Sequence, residues 1–139
     1  MHPLVPLSSQ YPFPFVQTLS PSALAYVGDA VYELYFRTHY LFPPTRIRDY
    51  HQRVVSCVRA ETQAAFAKTL LPHLSPEEVR IFKQGRNAAT GHPKRLSLEV
   101  YQHATGLETL VGYLYLTDRD RLQEILQYFS FDEDKSTEL

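Results

Sequence analysis

The chain has 139 residues, 44% of them hydrophobic, with 14 basic against 15 acidic side chains and a formal net charge of −1. That length and apolar content suit one domain with one core and exclude a disordered chain. No apolar run reaches the ~18 residues that span a bilayer, and the balanced charge excludes a globally basic nucleic-acid binder, so any such role must rest on local charge.

Residues 1–19 hold Pro3, Pro6, Pro12 and Pro14 with Tyr11, Phe13 and Phe15, and read as an extended arm on the domain surface. The first 36 residues contain no Lys or Arg; this argues against signal and transit peptides and makes the cytoplasm the expected compartment. Ser20-Pro21 predicts a helix start, with Ser as N-cap and Pro in the first turn. Leu24, Val27, Val31, Leu34 and Tyr35 give that helix, over about residues 21–41, a core face. Phe42-Pro43-Pro44 stops it. Thr45 is expected to cap a second helix over about residues 46–56, and a third follows to about residue 71 with Val58, Ala65, Phe66 and Leu70 inward. The lone Cys57, set in Val54-Val55-Ser56-Cys57-Val58, reads as a small buried hydrophobe and excludes an internal disulfide.

Ser75-Pro76-Glu77-Glu78 is a capping box opening a fourth helix to about residue 88. Residues 87–95 read as a loop; Ser97 opens a fifth helix to about residue 116. Thr117-Asp118 caps a sixth, striped by Leu122, Ile125, Leu126 and Phe129. Residues 131–139, with Asp132-Glu133-Asp134, read as a solvated acidic tail. No segment alternates with period two, so the expected fold is all-α: an arm over 1–19, one helical domain over 20–130 and the tail.

Three features do not suit a plain helical bundle. In Ala25-Tyr26-Val27-Gly28-Asp29-Ala30-Val31, a mid-helix glycine, which costs about 1 kcal/mol against alanine, signals close approach by another element or a partner. Asp29 beside it is a poor mid-helix residue that needs compensation. In the stretch from Gly106 through Gly112, Glu108 stands among Leu107, Leu110, Val111 and Leu114, and is the one charged residue between Glu99 and Asp118. Each acid alone reads first as a structural partner of an arginine or a capping group, and second as a functional group. Together, two half-buried acids on glycine-bearing helices match the hard oxygen ligands of Mg2+. Glu33 lies one turn beyond Asp29, where it joins the site or pairs with Arg37. The third feature is the run from Lys83 to Arg95, which carries Lys83, Arg86, Asn87, Lys94 and Arg95 and contains no acid. Such a stretch is either a solvated face or a contact for phosphates. Arg46, Arg48, Arg53 and Arg59 form a second basic set with the same two readings. The six histidines show no i, i+4 pair, which argues against a histidine metal site.

The segment from Leu24 to Glu33 resembles the signature helix of the ribonuclease III catalytic domain, most closely in its Mini-ribonuclease III branch. Gln84-Gly85-Arg86-Asn87-Ala88 and the stretch from Tyr101 to Leu116 are similar to two further blocks of that branch, in the same order. The resemblance spans about residues 18–130. It implies an all-helical homodimer that cuts double-stranded RNA with Mg2+, trimming the stem of the 23S ribosomal RNA precursor. It assigns Asp29 and Glu108 as catalytic metal ligands and Tyr26 to the dimer interface, and leaves a ribosomal protein open as a further partner. Lys83, Arg86, Asn87, Lys94 and Arg95 are expected to hold RNA across its minor groove. Further acids of the full-length enzymes align with Ser22, Ala25 and Thr105, so RNA phosphate oxygens and water are expected to complete the metal shell. Two other readings stay open: a non-catalytic RNA-binding or ribosome-assembly module that kept the fold, and a helical interaction protein whose two acids are structural.

Overall fold

The computed structural model describes residues 4–7 and 9–131, and every regular element among them is helical. In chain order these are α1 (Phe13–Val16), α2 (Pro21–His39), α3 (Ile47–Val58), α4 (Ala60–Leu70) with a 3-10 turn at Leu71–His73, α5 (Pro76–Ala88), α6 (Leu98–Thr117) and α7 (Arg119–Leu126). The stretch after Ser97 is apolar on nearly all sides, and a helix of that kind must be enclosed. It becomes the central helix α6, which buries Leu107, Leu110, Val111, Tyr113 and Leu114 against α2, α4, α5, α7 and α1.

Four of the five caps read from the sequence form as expected. Ser20 Oγ accepts from Ala23 N at 3.1 Å, Ser97 Oγ from Val100 N at 3.1 Å, and an Asp118 carboxylate oxygen from Arg121 N at 3.0 Å. Ser75 and Glu78 close the capping box reciprocally. Thr45 does not cap: α3 begins one residue later than expected, with Arg46 at the extended N-cap position and no side-chain bond. One extended residue, Arg59 (φ −66°, ψ 155°), breaks α3 from α4.

Two helices are rotated from the expected phase. In α2 the buried stripe is Leu24, Gly28, Tyr32 and Phe36, so Leu34 is left 64% exposed. In α4 the buried positions are Gln63, Ala64, Phe66, Ala67 and Leu70, while Ala65 faces outward. Both helices carry apolar residues on more than one face, so periodicity alone does not fix which face turns inward.

The arm is not extended throughout. Pro12 and Pro14 suit the first turn of a helix, and residues 13–16 form one turn that buries Val16 completely. Tyr11 N donates to Leu116 O at 2.7 Å, and the Arg119 guanidinium donates to the carbonyls of Leu7 (2.9 Å) and Ser9 (2.7 Å) while stacking over Tyr115. The arm is thus tied to the end of α6 and the start of α7. Beyond α7, Phe131 stacks on His39 at 3.9 Å; the rest of the acidic tail, residues 132–139, lies outside the described residues. Among the described residues no helix is long and apolar enough to cross a membrane.

Candidate active site

The site begins with two glycines. A Cβ on Gly28 would collide with the backbone carbonyl of Glu108 and lie 2.8 Å from Gly112 N. A Cβ on Gly112 would collide with the Leu24 carbonyl and lie 3.0 Å from Gly28 N. The main chains of α2 and α6 therefore touch directly, as the mid-helix glycine predicted. Asp29 follows one contact glycine, and Glu108 stands one turn before the other, so the seam brings the two acids together.

Their environments differ from the expected pair of half-buried acids. Glu108 is half-buried, whereas Asp29 is exposed, because the buried stripe of α2 runs through Gly28 and Tyr32 rather than through Val27 and Leu34. Burial pushes the Glu108 carboxyl up to about 8; the Asp29 charge and a hydrogen bond shared with Asp29 push the same way, and a hydrogen bond from Gln63 opposes them. Neither acid is ion-paired among the described residues. With two adjacent carboxyls and no counter-charge, one keeps its proton to a higher pH, and a cation between them favours the doubly ionised pair. A hard divalent cation such as Mg2+ fits this donor set. Among the described residues no third His, Cys, Asp or Glu converges with the pair, which leaves any such ion most of its coordination sphere for water and substrate oxygens.

The walls of the site are apolar or satisfied. Tyr32 is fully buried beside Glu108, donates to the Cys57 carbonyl at 3.3 Å, and is held neutral by burial and by the thiol and Glu108 nearby. Cys57 is buried, as expected. Glu33 pairs with Arg37 rather than with the acids.

Lys83, Arg86 and Asn87 occupy the last turns of α5, and Lys94 and Arg95 lie in the connection to α6. All are exposed except half-buried Arg86. The connection is anchored at both ends by buried Ala89 and Leu96, with Gln102 Nε2 donating to Ala89 O at 3.3 Å. Arg86 Nε donates to Asn87 Oδ1 (3.3 Å), and Arg95 reaches Glu61 on α4 at 3.7 Å. None of the five is hydrogen-bonded or ion-paired to Asp29 or Glu108. Tyr26 is 84% exposed on the outer side of α2, which it shares with Leu34 two turns on.

Sequence reasoning missed Gln63. It is only 3% exposed, and its Nε2 donates to Glu108 Oε2 at 3.3 Å. The signal was present: counted back from Phe66 and Leu70, position 63 lies on the core face of α4 at spacings of three and seven. Taking Ala65 as inward hid it.

The ribonuclease III domain family matches residues 22–119. Over 113 residues the chain is 60% identical to Mini-ribonuclease 3 of Synechocystis sp., covering 81% of this chain and 79% of that protein. It is 55% identical over 109 residues to Mini-ribonuclease 3 of Thermosynechococcus vestitus, covering 78% and 72%. A crystal structure of a Fusobacterium nucleatum protein superposes with a TM-score of 0.73 at 29% identity, covering 78% of this chain and 89% of that one. Fold and matches together define a helical ribonuclease domain. The chain belongs to the ribonuclease III family, in its Mini-ribonuclease 3 branch. The family consists of endoribonucleases, and its members generally depend on a divalent metal.

Proposed function

We propose that this chain is a Mg2+-dependent endoribonuclease that cuts double-stranded RNA as a homodimer, with the stem of the 23S ribosomal RNA precursor as its substrate and the cytoplasm as its compartment. The observation that carries this reading is the Asp29–Glu108 pair, joined across the α2–α6 seam without a counter-charge. In this reading residues 20–130 are the catalytic unit, and Asp29 and Glu108 hold the ion.

Hydrolysis joins a water oxygen to phosphorus and breaks the bond to the 3′ oxygen, which leaves with a proton. The products are a 5′-phosphate and a 3′-hydroxyl. A bound Mg2+ supplies a more acidic water and charge neutralisation on the phosphoryl and leaving oxygens. The chain's own part is placement. The main-chain contact at Gly28 and Gly112 fixes the backbone that carries the two carboxylates, and buried Tyr32 lies beside Glu108.

Lys83, Arg86, Asn87, Lys94 and Arg95 supply donors for phosphates and 2′-hydroxyls, which are what A-form RNA offers. Tyr26 and Leu34 form the exposed apolar ridge on α2 that a second subunit covers, and each subunit cuts one strand. Whether a ribosomal protein presents the substrate is a separate question for reconstitution.

The deciding experiment is cleavage of a precursor-stem duplex by wild type, Asp29→Asn and Glu108→Gln with Mg2+, with both new ends identified by mass. Wild-type cleavage that leaves 5′-phosphates and is lost in both variants supports the reading. No cleavage by wild type across metals and salts would instead favour a non-catalytic RNA-binding module.

A further inference from the structure

We propose that Gln63 is the positioning residue of the acid pair: its buried amide holds the Glu108 carboxylate in the orientation that receives a divalent cation. This rests on the reading of Asp29 and Glu108 as the cation-holding pair.

Gln63 lies one turn past the break at Arg59. Thr62 Oγ1 donates to the Ser56 carbonyl at 2.6 Å, locking the turn between α3 and α4. Lys68–Glu99 at 3.3 Å and Arg95–Glu61 at 3.7 Å then tie α4 to α6 and to the connection before it. With α4 so placed, Gln63 faces inward with Ala64, Phe66, Ala67 and Leu70. An amide in that company is costly to bury unless it is hydrogen-bonded, and its bond runs to Glu108 Oε2. An ionised carboxylate only accepts, so the amide must present its N–H side to it.

Glu108 is thereby fixed from three helices: its own α6, α2 through Asp29, and α4 through Gln63. Oε2 accepts from the amide, and the carboxylate's other lone pairs are the ones a cation would take. A glutamate side chain free to rotate would have to be ordered each time an ion and RNA bind; one already held avoids that cost. Gln63 touches neither reacting atom and acts through Glu108 alone.

The test is Gln63→Met, which keeps length and shape and removes the donor. Three results are expected: an unfolding midpoint of the metal-free protein unchanged or raised, Mn2+ affinity by electron paramagnetic resonance weakened ~10-fold, and kcat on duplex RNA lowered ~10- to 100-fold at constant KM. A second measurement leaves position 63 intact. In labelled protein, the Gln63 side-chain amide resonances shift on Mg2+ addition and move again in Glu108→Ala. Gln63→Met with wild-type kcat and Mn2+ affinity overturns this proposal alone, as do Gln63 resonances indifferent to Glu108→Ala. A wild type that neither cleaves RNA nor binds Mn2+ overturns the acid-pair reading and this proposal with it.

Discussion

Glu78 and Glu108 are both glutamates sheltered from solvent, and they behave in opposite ways. Glu78, at the start of α5, is 7% exposed and is gripped by Arg121 from α7, with Nε to Oε2 at 2.8 Å and Nη2 to Oε1 at 2.9 Å. It also accepts from Ser75 N at 2.8 Å. The Arg121 hydrogen bond outweighs burial and holds the Glu78 carboxyl below its ordinary range. Glu108 is the more exposed residue, yet its carboxyl is pushed up, because burial and Asp29 act on it with no arginine to answer them. Burial pushes both carboxyls up; at Glu78 an arginine answers it, and at Glu108 none does. A buried acid with its own cation is mortar, whereas one placed beside another acid without a cation holds its proton more tightly.

The widest separation between the two glutamates is expected in catalysis. On the proposed reading of Asp29 and Glu108 as the cation-holding pair, Asp29→Asn or Glu108→Gln should lower kcat at least ~100-fold, because several kcal/mol of charge stabilisation would be forfeited, while Glu78→Gln should leave kcat nearly unchanged. Single-turnover cleavage of one duplex by all variants measures this. Equal losses would erase the distinction.

Stability should separate them in the other direction. Arg121→Ala strands Glu78 and should cost about 3 kcal/mol in urea unfolding, whereas Glu108→Gln should leave the metal-free protein as stable or more so.

Next comes pH. Glu108 binds its proton more tightly folded than unfolded, so metal-free stability should fall as pH rises from about 4.5 to about 8. Glu78 has the opposite sign: its contribution is present above its ordinary value of 4.5 and is lost as pH falls through its lowered one. Glu108→Gln should flatten only the upper limb and Arg121→Ala only the lower. Unfolding curves from acid pH well below 4.5 to above 8 show whether the limbs separate.

The smallest expected effect concerns the basic connection, which belongs to neither glutamate. Lys94→Ala should weaken RNA binding about equally for all sequences and reduce the slope of log affinity against log salt by ~1. An unchanged slope would remove Lys94 from the RNA contact.

Local signals carried much of this structure into the sequence. Ser20-Pro21, the Ser75–Glu78 box, Ser97 and Asp118 each mark a helix start by satisfying free N–H groups, and the observed helices begin there. Gly28 foretold a close approach for the same local reason. What a single stretch does not hold is the direction a helix faces. The choice between Leu34 and Phe36 in α2, or between Ala65 and Ala67 in α4, depends on the partner helix, and that choice concealed Gln63. The fate of the arm was also hidden, since burying Val16 requires a groove made by distant residues. The two acids were legible because a charge among apolar neighbours is conspicuous, but their unequal exposure followed from the same unread rotation.

The glycine seam has a consequence for how this chain can vary. Most helix contacts tolerate drift, because a larger side chain on one helix can be met by a smaller one on the other. At Gly28 and Gly112 both surfaces are already bare main chain, and an added methyl on either side meets a carbonyl oxygen that no substitution can trim. The spacing of Asp29 and Glu108 is therefore written in backbone geometry, and a descendant that lost either glycine would have no compensating mutation across the seam.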